Sequence, residues 1–512
     1  MNASAGVAHR SLQGLGQLLG RVARNRPDKI GLVTSTRALT FQELDGESTR
    51  LASSLSGLGV EAGDRVTLFA QNRWEWVVGY HAVLKVGGVV NPANVMLTAE
   101  ELQFLLRDAG TSVLMTSADR LRDVVGAIDA PSLRHVICFD ETDDKALSFH
   151  RLVAEGSLDF APVDVDPSGL ACIAYTSGTT GHPKGAMQSH RSLVLNCALT
   201  VAMHSRTADD VVVSPLPCPH VYGNVVINGT LMVGGTVVLM ERFDPAAALD
   251  LIARHGATLF EGVPAMYALM LDAPALADAR LSTLTRSTVG GQTIAESVIE
   301  AWERRTGAPL IELWGMTELS GLGTTHALHA PKVNGSIGVS LPGVEVRAVS
   351  MEDGHSEVAS GEHGELVVRG PIVMMGYYNN AEATAATIDP DGWLHTGDVA
   401  THDGLGHFFV VDRLKDMILT GGYNVYPAEI ERVLIDHPTV ALVAVGREDD
   451  RVKGEVAHAY VVPAAGASVD PDELIAYCRT RLAAYKVPKA VHFVESLPTT
   501  SSGKLMRRQL GK

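Results

Sequence analysis

The sequence predicts an α/β protein: a large N-terminal part that includes a β-rich segment, followed by a small α+β unit. Three observations carry that expectation. Strand-like and helix-like segments alternate from about Leu12 to Glu241, short Gly-punctuated strands follow, and the pattern changes again past Arg413. At 512 residues the chain exceeds what one hydrophobic core usually covers, so a division into domains at 1–412 and 413–512 is expected.

Taken in order, "RVTLFAQN" reads as a strand and "EWVVGYHAVLKVGGVVNPAN" continues the alternation. "GLACIAY" is a short apolar run bounded by turn residues, hence a buried strand, and "SHRSLVLNCALTVAMH" reads as a helix with Ser189 as N-cap. Between them lies "YTSGTTGHPKG", so a strand, a Gly-rich loop and a helix are expected in succession. The rhythm runs on through "GATLFEGVPAMYALML" and "GAPLIELWGMTE". "GVEVRAVS", "GELVVRG" and "GHFFVVDR" then give a small β-rich subdomain. Past Arg413, "AEIERVLIDH" and "PDELIAYCRTRLA" read as helices, with "VALVAVGR" and "EVAHAYVVP" as strands.

A net charge of −16 disfavours nucleic acid or an anionic membrane as the main partner, since both need a basic surface. From Arg413 onward 14 Lys/Arg stand against 12 Asp/Glu, which makes the small unit the better cap for an anionic ligand. Cys138, Cys172, Cys197, Cys218 and Cys478 are scattered without CxxC spacing and read as reduced core residues. No basic segment leads into an apolar signal core, and no apolar run approaches membrane-spanning length. A cytoplasmic protein is expected.

The loop "YTSGTTGHPKG" fits a polyphosphate. Glycines let backbone N–H groups approach an anion, hydroxyls add donors, and Lys184 adds charge. It is not a Walker loop, because Pro183 precedes Lys184 and Gly185 follows it, and no GxGxxG lies between a strand and a helix. In "LWGMTELSG", Trp314 can stack on a flat base, Thr317 can donate to a phosphate, and Glu318 is a hard oxygen ligand for Mg²⁺ carried by a nucleotide. In "WLHTGDVA", Asp398 held at a tight turn can accept hydrogen bonds from a ribose diol. "VDRLKDMILTGGYNVYPAEIE" sets Arg413, Lys415 and Asp416 at the expected domain join, and "PTTSSGKLMRR" places Lys504 near the C-terminus.

In this order, "YTSGTTGHPKG", "WGMTE", "HTGD", "DRLKDMILTGGYNVYPAEIE" and "SSGKLMRR" closely resemble the adenylate-forming superfamily of acyl-CoA synthetases, luciferases and peptide-synthetase adenylation domains. Weaker matches at "TFQELDGESTRLASSL", "KVGGVVNPAN", "PLPCPHVYG" and "VGGQTI" extend the likeness over essentially the whole chain. The resemblance implies two layered α/β subdomains and a β-subdomain, joined to a mobile C-terminal domain. It implies that a carboxylate attacks the α-phosphorus of MgATP to give an acyl-adenylate and pyrophosphate, and that coenzyme A then displaces AMP.

Carried over by residue, Thr176, Ser177, Gly178, Thr179, Thr180 and Lys184 would cradle the β- and γ-phosphates. Trp314 would lie against adenine, Thr317 on the α-phosphate, Glu318 on Mg²⁺, Asp398 on the ribose, and Arg413 on the ribose or phosphates. Lys504 would bridge carboxylate and α-phosphate, and Lys415 would be the hinge. For coenzyme A the candidates are Gly422, Tyr423, Arg451, Lys453 and Lys486.

The acyl pocket would be walled by His220, Tyr222, Gly223, Val226, Gly291, Gln292, Leu313 and Gly315. Gly315 leaves room where acetate-specific members carry tryptophan. Leu313 replaces a glycine common in aryl-acid members, and Gln292 replaces a small residue, so the pocket is shortened or given a polar contact. A medium-chain or branched fatty acid leads, with an aryl acid as the alternative. Amino-acid adenylation lacks its acidic residue near His220, and nothing marks luciferase-like oxidation. The expected partners are the small-molecule acid, ATP and coenzyme A, with a homodimer compatible with the chain.

Overall fold

The computed structural model describes residues 13–124, 129–141, 146–176, 183–421, 423–464, 466–467, 470–498 and 505–511. Its framework is a pair of mixed sheets with helices packed on them, as the alternating pattern requires. In the eight-stranded sheet, Arg65–Phe69 pairs in parallel with Val89–Pro92 on one side and Val113–Thr116 on the other. Val89–Pro92 in turn pairs with Leu170–Thr176. These strands are buried on both faces and read as continuous apolar runs, which is what a helix-covered parallel sheet demands.

The nine-stranded sheet carries Val211–Ser214, Leu259–Gly262, Arg286–Val289 and Leu310–Met316 as parallel neighbours. The helix Val221–Met232 has no solvent-facing side, since its residues are buried up to Leu231. That agrees with its place between layers of the molecule. Four antiparallel strands, Glu345–Val349, Gly364–Arg369, Leu394–His402 and Phe408–Arg413, form the expected β-rich subdomain. The next strand, Ile418–Thr420, belongs to a separate five-stranded sheet with Gly454–Pro463, Val440–Asp450 and Ala490–Phe493. The helices Pro427–Ile435 and Pro471–Arg479 accompany that sheet, and their apolar faces share its core through Ile430, Leu434, Leu474 and Cys478.

Local chemistry fixes several starts as the sequence requires. Ser189 caps the helix His190–Met203 by accepting from Ser192 N at 3.0 Å, and Thr40 with Glu43 forms a capping box on Phe41–Gly57. All five cysteines are buried free thiols. Among the described residues no helix is long and apolar enough to cross a membrane.

One expected succession is corrected. The segment after "YTSGTTGHPKG" does not pass straight into a helix: Lys184–Ser189 is a strand that folds back antiparallel on Leu170–Thr176, with Tyr175 opposite Gly185 and Thr176 opposite Lys184. The Gly-rich stretch therefore connects two hairpin strands, and the helix begins only at His190. A six-residue strand mixing Gly, Ala, Gln and Ser has too little apolar alternation to announce itself.

Candidate active site

The strand Leu310–Met316 ends in a short 3-10 turn, Thr317–Leu319, and the chain returns antiparallel as Gly321–Thr325. Ser320 makes the reversal at φ +59°, a left-handed conformation held by its hydroxyl, which donates to Ser192 Oγ at 2.9 Å. Asn196 braces the same turn. Its amide donates to the carbonyls of Leu319 and Leu322 at 3.0 and 2.8 Å and accepts from Leu322 N. The turn carrying Thr317 and Glu318 is thus pinned by buried polar groups of a helix from another part of the chain.

Trp314 meets Asp398, 84 residues further along the chain, together with Arg413 on the strand next to Asp398. Asp398 Oδ2 accepts from the Trp314 indole Nε1 at 2.8 Å, and Oδ1 pairs with Arg413 Nε at 2.5 Å. Asp398 is only 2 % exposed, so its charge needs both partners. Asp398 and Arg413 are directly opposite on neighbouring strands. The expected tight turn at Asp398 is corrected to a bulge: Thr396, Gly397 and Asp398 face the single residue Leu366 within the strand Leu394–His402. Gly397 sits at φ +70° in that bulge, which re-aims the carboxylate without ending the strand. Trp314 is largely buried, with its ring over Gly323, where a Cβ would lie 2.6 Å from Cζ3.

A second group forms around Glu318. Its Oε1 accepts from the Tyr377 hydroxyl at 2.8 Å, and both residues are buried. Burial, with the neighbouring carboxylate, pushes the Tyr377 phenol well above its ordinary range, so it stays a neutral donor. Lys184 Nζ lies 5.3 Å from the Tyr377 ring centroid, within cation–π reach. Gln188 donates from Nε2 to the Thr317 carbonyl at 2.8 Å, and Thr176 Oγ1 donates to the Lys184 carbonyl at 3.4 Å. A cavity of about 260 Å³ opens beside Lys184, with Phe104, Asp108, Tyr378 and Asn380 among its walls.

The acyl-pocket candidates divide. Tyr222 is buried and its hydroxyl shares a 2.7 Å hydrogen bond with Thr288 Oγ1, which donates to Glu261 Oε2 at 2.9 Å. Glu261 in turn pairs with Arg206, both fully buried. Gly223 and Gly315 are required by backbone approach: a Cβ would lie 2.2 Å from Pro217 O and 2.1 Å from Gly321 O respectively. The glycine at 315 is therefore required by the antiparallel return of the chain. Leu313 packs over Gly290, where a Cβ would meet its Cδ1 at 2.3 Å, and Val226 is core. His220 caps its helix, its Nδ1 accepting from Tyr222 N, and it is exposed like Gly291 and Gln292.

Lys415 is exposed in the turn Leu414–Asp416. Just before it, burial pushes the Asp412 carboxyl up to about 6, although it accepts from Arg413 N and from Ala428 N at the start of a helix. Arg507 forks onto Glu431, with Nη2 to Oε2 at 2.9 Å, and donates to Val445 O. Of the coenzyme A candidates, Tyr423 stacks on Tyr485 with centroids 4.6 Å apart, and Lys486 pairs with Glu429 at 2.7 Å. Arg451 and Lys453 are exposed at one hairpin tip, where the Lys453 carbonyl accepts from Gly421 N. Ser177, Gly178, Thr179, Thr180, Gly422 and Lys504 lie outside the described residues.

Sequence reasoning passed over Tyr377, Gln188 and Asn196. Asn196 had a signal, a polar residue in the apolar run of a helix. Tyr377, in "GYYNN", had only its aromatic doublet.

The structure thus gathers an indole, a buried carboxylate tied to arginine, and a second carboxylate that shares Tyr377 with a lysine. Residues 19–378 match the AMP-binding enzymes, and residues 429–504 match the AMP-binding enzyme C-terminal domain. Feruloyl-CoA synthase of an Amycolatopsis species is 39 % identical over 97 % of this chain and 98 % of its own length. A long-chain-fatty-acid–CoA ligase of Bacillus subtilis is 34 % identical over 97 % and 94 %. The crystal structure of ATP-bound MatB from Rhodopseudomonas palustris superposes with a TM-score of 0.89 at 33 % identity, covering 97 % of this chain and 98 % of that one. The chain belongs to the AMP-binding enzyme family, and it is an adenylate-forming, AMP-releasing acyl- or aryl-CoA ligase that uses ATP and coenzyme A.

Proposed function

We propose that this ligase activates a medium-chain or branched fatty acid. The observation that carries the reading is the engagement of Tyr222: its hydroxyl is hydrogen-bonded to Thr288, itself tied to Glu261, so the aromatic wall presents carbon rather than a polar group. Leu313 over Gly290 adds apolar bulk at the same end. An apolar acyl tail gains from such walls, whereas a hydroxylated aryl acid would bury unpaired polar atoms. The second reading, an aryl acid, is favoured by the likeness to a feruloyl-CoA synthase.

In this reading the acid carboxylate attacks the α-phosphorus, the bond to the β-phosphate bridging oxygen breaks, and pyrophosphate leaves. The coenzyme A thiol then loses its proton and attacks the acyl carbon, and AMP leaves with the bonding electrons. Thr176 to Thr180 and Lys184 hold the departing phosphates, Thr317 the α-phosphate, and Glu318 the Mg²⁺ of MgATP. Trp314, Asp398 and Arg413 seat the nucleoside. Lys504 supplies positive charge where the pentavalent centre forms, work that needs one cation placed on two anions. The join at residues 412 and 413, with Lys415 as hinge, lets the C-terminal domain turn between the half-reactions. That turn brings the segment of Gly422 and Tyr423, with Arg451, Lys453 and Lys486, to coenzyme A.

AMP release with coenzyme A and a panel of octanoate, a branched acid, ferulate and acetate tests the substrate. Octanoate or the branched acid is expected to give the highest kcat/KM, and preference for ferulate overturns the fatty-acid reading. Lys504→Ala is expected to lose about 10²- to 10³-fold in ATP–pyrophosphate exchange yet still pass acyl groups from supplied acyl-adenylate to coenzyme A. Exchange at wild-type rate would remove Lys504 from the mechanism.

A further inference from the structure

The segment Met374–Tyr378 is strapped across both halves of the phosphate side of the site. Met374 N donates to the Glu318 carbonyl, Met375 N to Met187 O, and Tyr378 N to Gly185 O, each at 2.7 to 2.8 Å. The two-residue strand Gly376–Tyr377 pairs antiparallel with Lys184–Ser189, setting Tyr377 opposite Ala186. Tyr377 N donates to Thr384 Oγ1 at 2.8 Å, and Gly376, at φ +132°, leaves space that a Cβ would take from the Thr384 side chain. The backbone beneath the Tyr377 ring is therefore fixed on both sides.

From this platform one side chain reaches two groups of opposite charge through different parts. Its hydroxyl donates to Glu318 Oε1, and its face lies under the Lys184 ammonium. A buried carboxylate has two equivalent oxygens and can rotate between them. A phenol bound to one leaves the other as the oxygen that faces a cation. A neutral donor does this without repelling that cation, as a lysine or arginine in its place would.

We propose that Tyr377 is a positioning residue for nucleotide-bound metal: it orients Glu318 as a one-oxygen ligand and holds Lys184 in register with it. The proposal rests on Glu318 as the metal-facing carboxylate. Calorimetric binding of ATP to the full-length enzyme, with Mg²⁺ and separately in EDTA, distinguishes the two. Tyr377→Phe keeps the ring and removes the hydroxyl, so MgATP affinity is expected to fall about 5- to 10-fold while metal-free ATP changes less than about 2-fold. Tyr377→Leu removes the ring as well and is expected to weaken metal-free ATP too. The double variant with Glu318→Gln should be no worse for MgATP than Glu318→Gln alone, because the hydroxyl acts through that carboxylate.

Equal weakening by Tyr377→Phe with and without metal, or no change in either, overturns the proposal. If Glu318→Gln alters metal dependence and Tyr377→Phe does not, only the Tyr377 assignment falls. If Glu318→Gln is itself silent, the reading of Glu318 falls first and takes this one with it.

Discussion

The side chains gathered at Asp398 and Glu318 differ in construction from those around Tyr423 and Lys453. On the first side, the two carboxylates are nearly excluded from solvent and each has a fixed partner: Asp398 between Trp314 and Arg413, Glu318 on Tyr377. On the second side Tyr423 is 59 % exposed, Arg451 and Lys453 project from a hairpin tip, and Lys486 spends its charge on Glu429. A buried, partnered group is organised before the ligand arrives and loses little on binding it. An exposed one must be ordered at that moment. With the roles proposed above, the contrast suits a reaction in which ATP is seated first and coenzyme A is met later.

The largest effect that tests this contrast is expected at Asp398. Asp398→Ala leaves the buried Trp314 indole N–H without its acceptor and the half-exposed Arg413 guanidinium without its carboxylate, together a loss on the order of 3 kcal/mol, so ATP–pyrophosphate exchange should drop by about 10²-fold. Asp398→Asn keeps the indole acceptor and should retain part of it. If both variants exchange at near wild-type rate, preorganisation on this side is not what binds ATP.

An effect of at most similar size, on stability rather than on activity, is expected at Glu312, two residues before Trp314. Burial pushes its carboxyl up to about 7, against a helpful hydrogen bond from Gly335 N and the nearby Lys332 charge. The folded pKa is raised above the unfolded value of 4.5, so this group's stabilising contribution is full below about pH 4.5 and is lost as the pH rises through about 7. Glu312→Gln lacks that loss. Its unfolding temperature should match the wild type near pH 4.5 and exceed it at pH 8, by up to about 3 kcal/mol of stability. Parallel curves for the two proteins would contradict the burial argument.

The smallest effect belongs to the exposed side. The partly exposed Lys486–Glu429 pair contributes about 0–1 kcal/mol, so Lys486→Ala should hardly move the unfolding temperature. If Lys486 meets a coenzyme A phosphate, the KM for coenzyme A should rise about 3-fold with adenylation unchanged. A stability loss as large as that from a core deletion would show that the two sides are not built differently after all.

How much of this was legible in the sequence follows the range of the forces involved. The β-rich segment, the helix cap at Ser189 and the buried cysteines were readable because apolar periodicity and capping are local. The loop, the "WGMTE" turn and Asp398 were readable as ordered motifs. The hairpin after Gly185 was not, since a strand of small and polar residues becomes a strand only when Leu170–Thr176 offers its ladder. Nor was the bulge at Thr396 to Asp398, which exists because a neighbouring strand supplies one residue where this one supplies three.

By itself, then, the sequence determined the fold class and the reaction family and named the residue types of a candidate site, because periodicity, turn chemistry and motif order are written along one chain. Only the tertiary structure decided which of those residues touch. The Trp314–Asp398 contact and the Lys184–Tyr377–Glu318 contact each join segments more than fifty residues apart, and Tyr377 acquired a role from nothing in its own neighbourhood. Such contacts depend on strand register and on buried charges finding partners, terms fixed by the whole core rather than by any local stretch.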